Sequence, residues 1–248
     1  MKEEFRQHAI RLRLARMENK PAGVALSTGF AALDSALGGG LPRGRIVELF
    51  GPSSSGKTTL ALQAIARLQR GGSTAAWIDA EHSFDPAYAA SLGVAIERLP
   101  VAEPDSAEQA LEIARQLARS GAVDLLVVDS AAALVPRLEL EAGIGESGPG
   151  LHGRVLASGL RGLSLTVART GTSLVFLNQI RSRMEPSGGE AETSAGGAPL
   201  KLHAAVRIVL GPGTGKRVRF RVVKNKAAAA FQEGELEWSQ ARGFVESP

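Results

Sequence analysis

The segment that restricts the fold of this chain most strongly is a run of glycine and serine, GPSSSGKT, at residues 51–58. It fits the pattern G-x-x-x-x-G-K-[ST] and lies between an apolar stretch, Arg45 to Phe50, and a predicted helix, Thr58 to Gln69. Glycines let the backbone curl until its N–H groups and the helix N-terminus face a phosphate group. The pattern therefore predicts a phosphate-binding loop that joins a strand to a helix.

This loop and the residue after it supply the first candidate nucleotide contacts. Lys57 is expected to reach the terminal phosphates, and the Thr58 hydroxyl is expected to bind Mg²⁺. ATP and Mg²⁺ are accordingly the expected cofactors. The candidate contacts in this segment are Gly51, Pro52, Ser53, Ser54, Ser55, Gly56, Lys57, Thr58 and Thr59.

Two further strand ends carry the acidic residues that such a site needs. Asp129 follows four apolar residues in VDLLVVDS, and a carboxylate at this position is expected to support the metal ion. Another strand ends in WIDAEHSFDP, where Asp79 and Glu81 are candidates for orienting or deprotonating the attacking water. Glu81 is the preferred candidate, but the spacing alone leaves open that either acid only caps the helix that follows.

Short apolar runs alternate with helical stretches along most of the chain. Near-continuous apolar strands between helices are typical of a mainly parallel sheet that is covered on both faces, so an α/β fold is expected. Besides the elements around the phosphate loop, the predicted elements are strands at Ala75 to Asp79, Val123 to Asp129 and Ser173 to Asn178, and helices at Phe30 to Leu37, Ala107 to Arg119 and Leu151 to Ala168.

The two ends of the chain differ from this alternating pattern. Val206 to Leu210 and Val218 to Val223 are predicted strands with no helix between them, which favours an antiparallel extension of the sheet. Residues 1–20 are predicted to form a basic helix, packed either on its own domain or on a neighbouring subunit. The expected division is an N-terminal helix and linker at 1–24 and one core domain at 25–248.

Composition excludes several functional classes. The 248 residues include no cysteine, so neither a disulfide nor a thiolate metal site is available, and a reducing cytoplasm is the expected compartment. No apolar run approaches the roughly 20 residues that span a bilayer, so no membrane partner is expected. The net charge of +4 is compatible with binding nucleic acid but is also common in proteins that bind none.

Five sequence blocks, in a fixed order from about Ser27 to about Trp238, indicate a family. The blocks are GPSSSGKTTLALQ, WIDAEHSFDPAYAASLGV, VDLLVVDSAAALVP, FLNQIR and VVKNKAAAAF. In this combination the chain resembles the bacterial RecA recombinases. The resemblance implies a RecA-type P-loop NTPase core that hydrolyses ATP between subunits and forms filaments on single-stranded DNA. It also implies homologous pairing and strand exchange with duplex DNA in recombination, repair and the SOS response, with a self-cleaving repressor as a further partner.

The resemblance assigns roles around the nucleotide as well. Glu81 matches the catalytic glutamate of the family, and Gln179 in FLNQIR matches its γ-phosphate sensor. Asp85 and Tyr88 match further nucleotide contacts, with the Tyr88 ring expected to stack on adenine. A tyrosine on the surface of a helix is the alternative for Tyr88.

Two lysines near the end of the chain complete the catalytic set that the resemblance implies. Lys224 and Lys226 in VVKNK match a pair that reaches the ATP of the next subunit, where cations stabilise charge at the γ-phosphate. The alternative is an edge strand whose lysines only protect it against aggregation.

Two segments resemble the DNA-binding loops of the family. Residues 139–150 occupy the place of the first loop and precede Arg154, which matches a phosphate-contacting arginine. Residues 181–198 are polar and rich in glycine, so a loop without regular structure that orders on DNA is expected there. The candidate DNA contacts, which suit sequence-independent binding of a sugar-phosphate backbone, are Arg154, Arg181, Arg183, Gly196 and Gly197.

Several departures from the family pattern leave other functions open. They motivate an alternative hypothesis, an ATP-binding regulatory or scaffolding protein of the DNA-damage response without strand exchange. A ring-forming motor on the same core fold is a third hypothesis. The departures are an end at Pro248 without a counterpart of the family's C-terminal domain, Pro149 and Gly188 in place of bulky apolar residues, and three acids in the second loop, Glu185, Glu190 and Glu192.

Overall fold

One large β-sheet organises the chain, and its first long strand lies inside the sheet rather than at an edge. The computed structural model describes residues 25–142, 150–185, 189–194 and 198–245, and for residues 181–185 and 189–194 it describes the backbone alone. The helices are Ala31–Leu37 (α1), Lys57–Arg70 (α2), Pro86–Ser91 (α3), Ala107–Ser120 (α4), Arg137–Glu141 (α5), Leu151–Thr170 (α6) and Ala198–His203 (α7). The strands are Ala25–Leu26 (β1), Leu41–Pro42 (β2), Ile46–Gly51 (β3), Ala75–Asp79 (β4), Val101–Ala102 (β5), Leu125–Asp129 (β6), Ser173–Glu185 (β7), Gly189–Ser194 (β8), Val206–Pro212 (β9), Arg217–Asn225 (β10), Glu233–Ser239 (β11) and Gly243–Val245 (β12).

The strand order is β12-β11-β10-β9-β3-β7-β6-β4-β5, with β8 paired to β7 beside this path. The six strands from β9 to β5 run parallel. The strands β10, β11 and β12 continue the sheet antiparallel. The predicted α/β fold of the RecA type, a mainly parallel sheet with an antiparallel extension, is therefore confirmed. Because parallel strands end at the same edge, the carboxyl ends of β3, β4, β6 and β7 lie together.

Helices cover both faces of the sheet, as the apolar strands require. On one face Leu60 and Ile65 of α2 belong to the same buried cluster as Val47 of β3. On the other face Leu111 of α4 and Leu160 of α6 belong to the second cluster. Burying each such aliphatic side chain contributes about 1.5–3 kcal/mol to the free energy of unfolding. This packing on both faces fixes the positions of the strand ends.

The prediction of an antiparallel extension is wrong for its first strand. β9 pairs in parallel with β3, from Val47 opposite Val206 to Phe50 opposite Val209. The chain reaches β9 from β7 through β8 and α7, which together provide the long connection that parallel strands need. The antiparallel part begins one strand later, at β10.

The prediction of a loop without regular structure at residues 181–198 is wrong for residues 181–185 and 189–194, which form strands. β7 continues to Glu185 and pairs antiparallel with β8, from Ile180 opposite Ser194 to Glu185 opposite Gly189. A polar hairpin escapes detection because strands are predicted from apolar periodicity, which reports burial on one face. The backbone positions of Arg181 and Arg183 therefore lie on a strand.

Some predicted segments lie outside the described residues. They are the helix and linker at 1–24, residues 143–149 with Pro149, residues 186–188 with Gly188, and residues 195–197 with Gly196 and Gly197. The start of the first proposed DNA loop is described, and it is helical through Glu141 at the end of α5. The proposed domain division stays a prediction. In the described part of the chain no helix has both the length and the apolar character to cross a membrane.

Candidate nucleotide site

The phosphate loop closes directly onto the C-terminal strand of the sheet. Gly56 precedes α2 with a φ of 87°, and a Cβ atom at this position would lie 2.6 Å from the ring of Phe244 in β12. Both the left-handed backbone and this close approach require glycine. The helix therefore starts at Lys57, and its first-turn N–H groups, which have no helical acceptor, are available to an anion.

The Lys57 ammonium group lies within the loop. Its Nζ atom donates to the carbonyl oxygens of Gly51 at 3.1 Å and Pro52 at 2.7 Å. Burial lowers the pKa of Lys57, while the charges of Asp129 and Glu81 act in the opposite direction. A partly desolvated cation in the curve of the loop is suited to bind phosphate oxygens.

Thr58 and Asp129 meet where α2 faces the end of β6. The Oγ1 atom of Thr58 donates a hydrogen bond of 3.0 Å to Oδ2 of Asp129. Burial raises the pKa of Asp129 to about 7, helped by the charge of Glu81 and opposed by the Thr58 hydrogen bond. A bound cation would favour the ionised carboxylate, because a positive charge offsets the burial penalty.

The structure gives Asp79 and Glu81 different environments, which the sequence spacing alone could not distinguish. Asp79 is buried, and its Oδ2 atom accepts a hydrogen bond of 2.8 Å from the Phe84 N–H group. Glu81 is exposed; its Oε1 atom accepts a hydrogen bond from Ser130 Oγ and lies 3.5 Å from Gln179 Nε2. Asp79 thus holds the turn after β4, whereas Glu81 faces the open side of the site. This arrangement supports Glu81 over Asp79 as the group that orients water.

Ser130 is a residue of this site that the sequence prediction missed. It follows Asp129 directly in VVDS, and its hydroxyl holds Glu81 in place. The available signal was its position at the end of a strand next to a predicted metal ligand.

Gln179 stands at the point where β7 leaves the main sheet. Its backbone pairs with Gly51 at the end of β3, and beyond it β7 continues into the hairpin with β8. Since its exposed side chain is at the limit of hydrogen-bonding distance from Glu81, Gln179 connects the candidate site to the hairpin.

Asp85 and Tyr88 belong to α3, beside the start of α2. The Asp85 carboxylate caps α3 by accepting hydrogen bonds from the N–H groups of Ala87 at 2.8 Å and Tyr88 at 3.0 Å. The Tyr88 hydroxyl forms a 2.7 Å hydrogen bond with Thr59 Oγ1, and 38% of the residue is exposed. The ring is thereby anchored one residue beyond the phosphate loop with part of its surface available to a planar ligand.

Lys224 and Lys226 lie far from the phosphate loop of the same protomer. The Lys226 N–H donates to Ala205, whose own N–H donates to Ile46 at the amino end of β3. Gly51 lies at the other end of that strand, about 17 Å away at about 3.3 Å per residue. Within one protomer Lys226 therefore lies at the end of the sheet opposite the loop. Lys224 is level with Glu48 through Arg207, and its Nζ atom donates to the carbonyl oxygens of Lys201 and Leu202 rather than approaching the loop.

Arg154 is exposed in the first turn of α6. The side chains of Arg181 and Arg183 are outside the described part of the structure. The geometry thus brings together the nucleotide candidates, whereas for the DNA candidates the structure describes only Arg154 in full and the backbone of Arg181 and Arg183.

Comparison with known proteins agrees with this geometry. The sequence matches the RecA N-terminal domain family over residues 1–245. The chain belongs to the RecA family. Protein RecA of Thermus thermophilus is 48% identical over 255 residues, which cover 98% of this chain and 74% of that protein.

Two other members of the RecA family are similarly close. Protein RecA of Gluconacetobacter polyoxogenes is 52% identical over 229 residues, covering 88% of this chain and 66% of that protein. Protein RecA of Leifsonia xyli is 51% identical over 236 residues, covering 91% of this chain and 66% of that protein. The aligned region thus corresponds to between 66% and 74% of the length of these RecA proteins.

Proposed function

We propose that this RecA-family chain is a DNA-dependent ATPase that forms filaments on single-stranded DNA and promotes homologous pairing and strand exchange. The observation that carries the proposal is the separation of two halves of one site. Lys57, Thr58 and Asp129 form one half with Glu81, while Lys226, directly after β10, lies at the far end of the sheet and the Lys224 ammonium group is bound to carbonyl oxygens of α7. A second protomer would bring its lysines to the first protomer's nucleotide.

Nucleotide binding would use the start of α2 and the carboxyl ends of the strands. First-turn N–H groups and Lys57 would hold the phosphates of ATP, and Thr58 with Asp129 would hold Mg²⁺. When bound, the metal would offset negative charge on the phosphate oxygens.

A buried acceptor in this region fits a hydrated metal ion. The Oδ1 atom of Asp79 has no hydrogen-bond partner within the described residues. Mg²⁺ in nucleotide sites usually keeps several water molecules, and such a water could donate to this oxygen.

Hydrolysis would depend on groups from both protomers. Glu81, held by Ser130, would accept the proton of the attacking water. Lys224 and Lys226 of the neighbour would stabilise the charge that develops at the γ-phosphate. Filament assembly and hydrolysis would then be coupled, because neither protomer holds the complete site.

DNA would bind along α6 and the hairpin of β7 and β8. Arg154, Arg181 and Arg183, with the backbone at Gly196 and Gly197, would contact the sugar-phosphate backbone without reading sequence. Duplex DNA during exchange, a self-cleaving repressor and a cytoplasmic location complete the proposal.

The experiment that tests this function is ATP hydrolysis by the purified chain with and without single-stranded DNA, at low and moderate salt. The proposal predicts strong stimulation that weakens as salt rises, because phosphate contacts release counterions. Hydrolysis that DNA does not change at either salt concentration would reject the DNA-dependent part.

One observation favours a second candidate, an ATP-binding regulatory protein without strand exchange. Glu185, Glu190 and Glu192 occupy the same hairpin as the proposed arginine contacts, and negative charge there opposes phosphate binding. This candidate predicts ATP binding with no salt-dependent affinity for single-stranded DNA, which the same protein samples can measure.

A further inference from the structure

A row of buried polar residues crosses the sheet beneath the phosphate loop. Glu48 of β3 is completely buried. Its Oε1 atom accepts a 2.8 Å hydrogen bond from Asn178 Nδ2 of β7, and its Oε2 atom accepts a 2.5 Å hydrogen bond from Arg207 Nε of β9. Arg207 pairs in turn with Lys224 in the ladder between β9 and β10. Four adjacent strands are therefore joined by one continuous row.

Stability alone does not account for this row. The Arg207 guanidinium compensates the Glu48 charge and lies 4.5 Å above the centre of the Phe50 ring. Even so, well-packed apolar residues of similar volume often stabilise a core as much as a buried ion pair does. What the polar residues add is a fixed set of hydrogen-bond directions.

One end of the row fixes the backbone at Gln179. Because Nδ2 of Asn178 donates to Glu48, the plane of the Asn178 amide group is set. Its Oδ1 atom then accepts a 2.9 Å hydrogen bond from the Gln179 N–H group. Gln179 is the residue whose side chain lies between Glu81 and the hairpin.

The other end of the row reaches Lys224. The Nζ atom of Lys224 donates to the carbonyl oxygens of Lys201 at 2.7 Å and Leu202 at 3.1 Å, near the end of α7. Burial lowers the pKa of Lys224, Lys226 and Arg207 act in the same direction, and Glu48 opposes them. The buried pair is thus close enough to influence the pKa of Lys224.

We propose that Glu48, Asn178 and Arg207 are positioning residues that set two parts of the hydrolytic machinery at once. They hold Gln179 beside the protomer's own site and Lys224 toward the site of the neighbour. The inference rests on the proposed function for the roles of those two end residues. A displacement of these buried side chains would therefore change both protein surfaces that contact the ATP bound between neighbouring protomers.

The first test replaces the Glu48–Arg207 ion pair at the centre of the row by apolar side chains of similar volume, with the double substitution Glu48→Leu and Arg207→Met. Backbone amide hydrogen exchange of Gln179, measured by NMR on the full chain, should become about tenfold faster, since its acceptor loses orientation. Unchanged exchange would overturn the proposal. Asn178→Ala provides a second variant that leaves the ion pair intact and should give the same acceleration.

A matched control is Arg43→Met, which breaks another buried ion pair, the 2.6 Å contact of Arg43 with Asp124. It should lower the melting temperature without changing the exchange of Gln179. If it accelerates that exchange as much as the double variant does, a general loss of stability explains the effect and the positioning role is rejected.

The second test measures the ratio of DNA-stimulated to basal ATP hydrolysis. The double variant should lower this ratio about tenfold, and adding Gln179→Ala should cause a smaller loss than Gln179→Ala causes in the unmodified chain, because the two changes share their effect on Gln179. Additive losses would contradict the proposal. If the unmodified chain shows no stimulation, the proposed function fails, while amide exchange still decides whether the row positions Gln179.

Discussion

Thr58 and Asp129 are joined by a 3.0 Å hydrogen bond that links the first turn of α2 to the end of β6. This bond favours the ionised carboxylate, but burial and the charge of Glu81 outweigh it and raise the pKa of Asp129 to about 7. The protonation of this one carboxyl group therefore changes close to neutral pH when no cation is bound.

The pKa of Asp129 predicts how stability depends on pH. An acid whose pKa is higher in the folded state stabilises the fold below its unfolded pKa, here near 3.8, and this stabilisation is lost as the pH rises toward 7. The Asp129→Asn side chain cannot ionise, so this variant does not lose stability in that pH range. We expect the free energy of unfolding of Asp129→Asn, minus that of the unmodified chain, to increase by at most about 4 kcal/mol from pH 4 to pH 7.

Thermal unfolding without nucleotide or Mg²⁺ at several pH values measures this difference. Asp105→Asn, at an exposed position, is the control and should show no such trend. A difference between Asp129→Asn and the unmodified chain that stays constant from pH 4 to pH 7 would contradict the prediction.

Glu81→Gln should abolish most turnover while leaving ATP affinity within about twofold. The amide can still accept the Ser130 hydrogen bond but cannot take a proton from water, so a loss of roughly 10²- to 10⁴-fold is expected. Steady-state hydrolysis and binding of a fluorescent ATP analogue measure the two effects. Glu103→Gln, at an exposed carboxylate outside the candidate set, should leave both unchanged, and normal turnover by Glu81→Gln would refute its role.

Tyr88 offers a pair of substitutions that separates the ring from the hydroxyl. Tyr88→Phe loses the hydrogen bond to Thr59 but keeps the aromatic face, so ATP affinity should stay within about twofold. Tyr88→Ala removes the face on which adenine would stack, and affinity should fall about tenfold. Equal losses in both variants, measured by titration with ATP, would show that the hydroxyl matters and the ring does not.

The division of the site between protomers predicts complementation in mixtures. Protein with Glu81→Gln and protein with Lys224→Ala should each be nearly inactive. In a random mixture about one quarter of head-to-tail interfaces would combine an intact Glu81 with an intact Lys224. Partial recovery of hydrolysis is expected, whereas a mixture as inactive as its components would place both residues in the same protomer's site.

The sequence predicted the phosphate loop and its flanking elements more accurately than it predicted the contacts between strands. Strong local signals place β3, the phosphate loop and α2, because a glycine-rich turn between an apolar strand and a helix allows few other structures. The meeting of Thr58 with Asp129 also follows, since parallel strands end at one edge.

The polar contacts across the sheet could not be predicted in this way. Glu48 is an acid within an apolar strand, and nothing in its local sequence indicates Asn178 or Arg207 as partners. The hairpin of β7 and β8 lacks the apolar alternation by which strands are recognised. Both the polar contacts and the hairpin depend on which strands pair in the folded protein, and a single sequence does not show that pairing.

The interior position of β3 also governs when the site can form during synthesis. The contacts that Glu48 makes with its two neighbouring strands span 130 and 159 residues. A ribosome must therefore synthesise β9 before β3 acquires both neighbours, and such distant pairings are slow to close. Although its motif is translated early, the phosphate loop gains the sheet that supports it only after β9 has been synthesised.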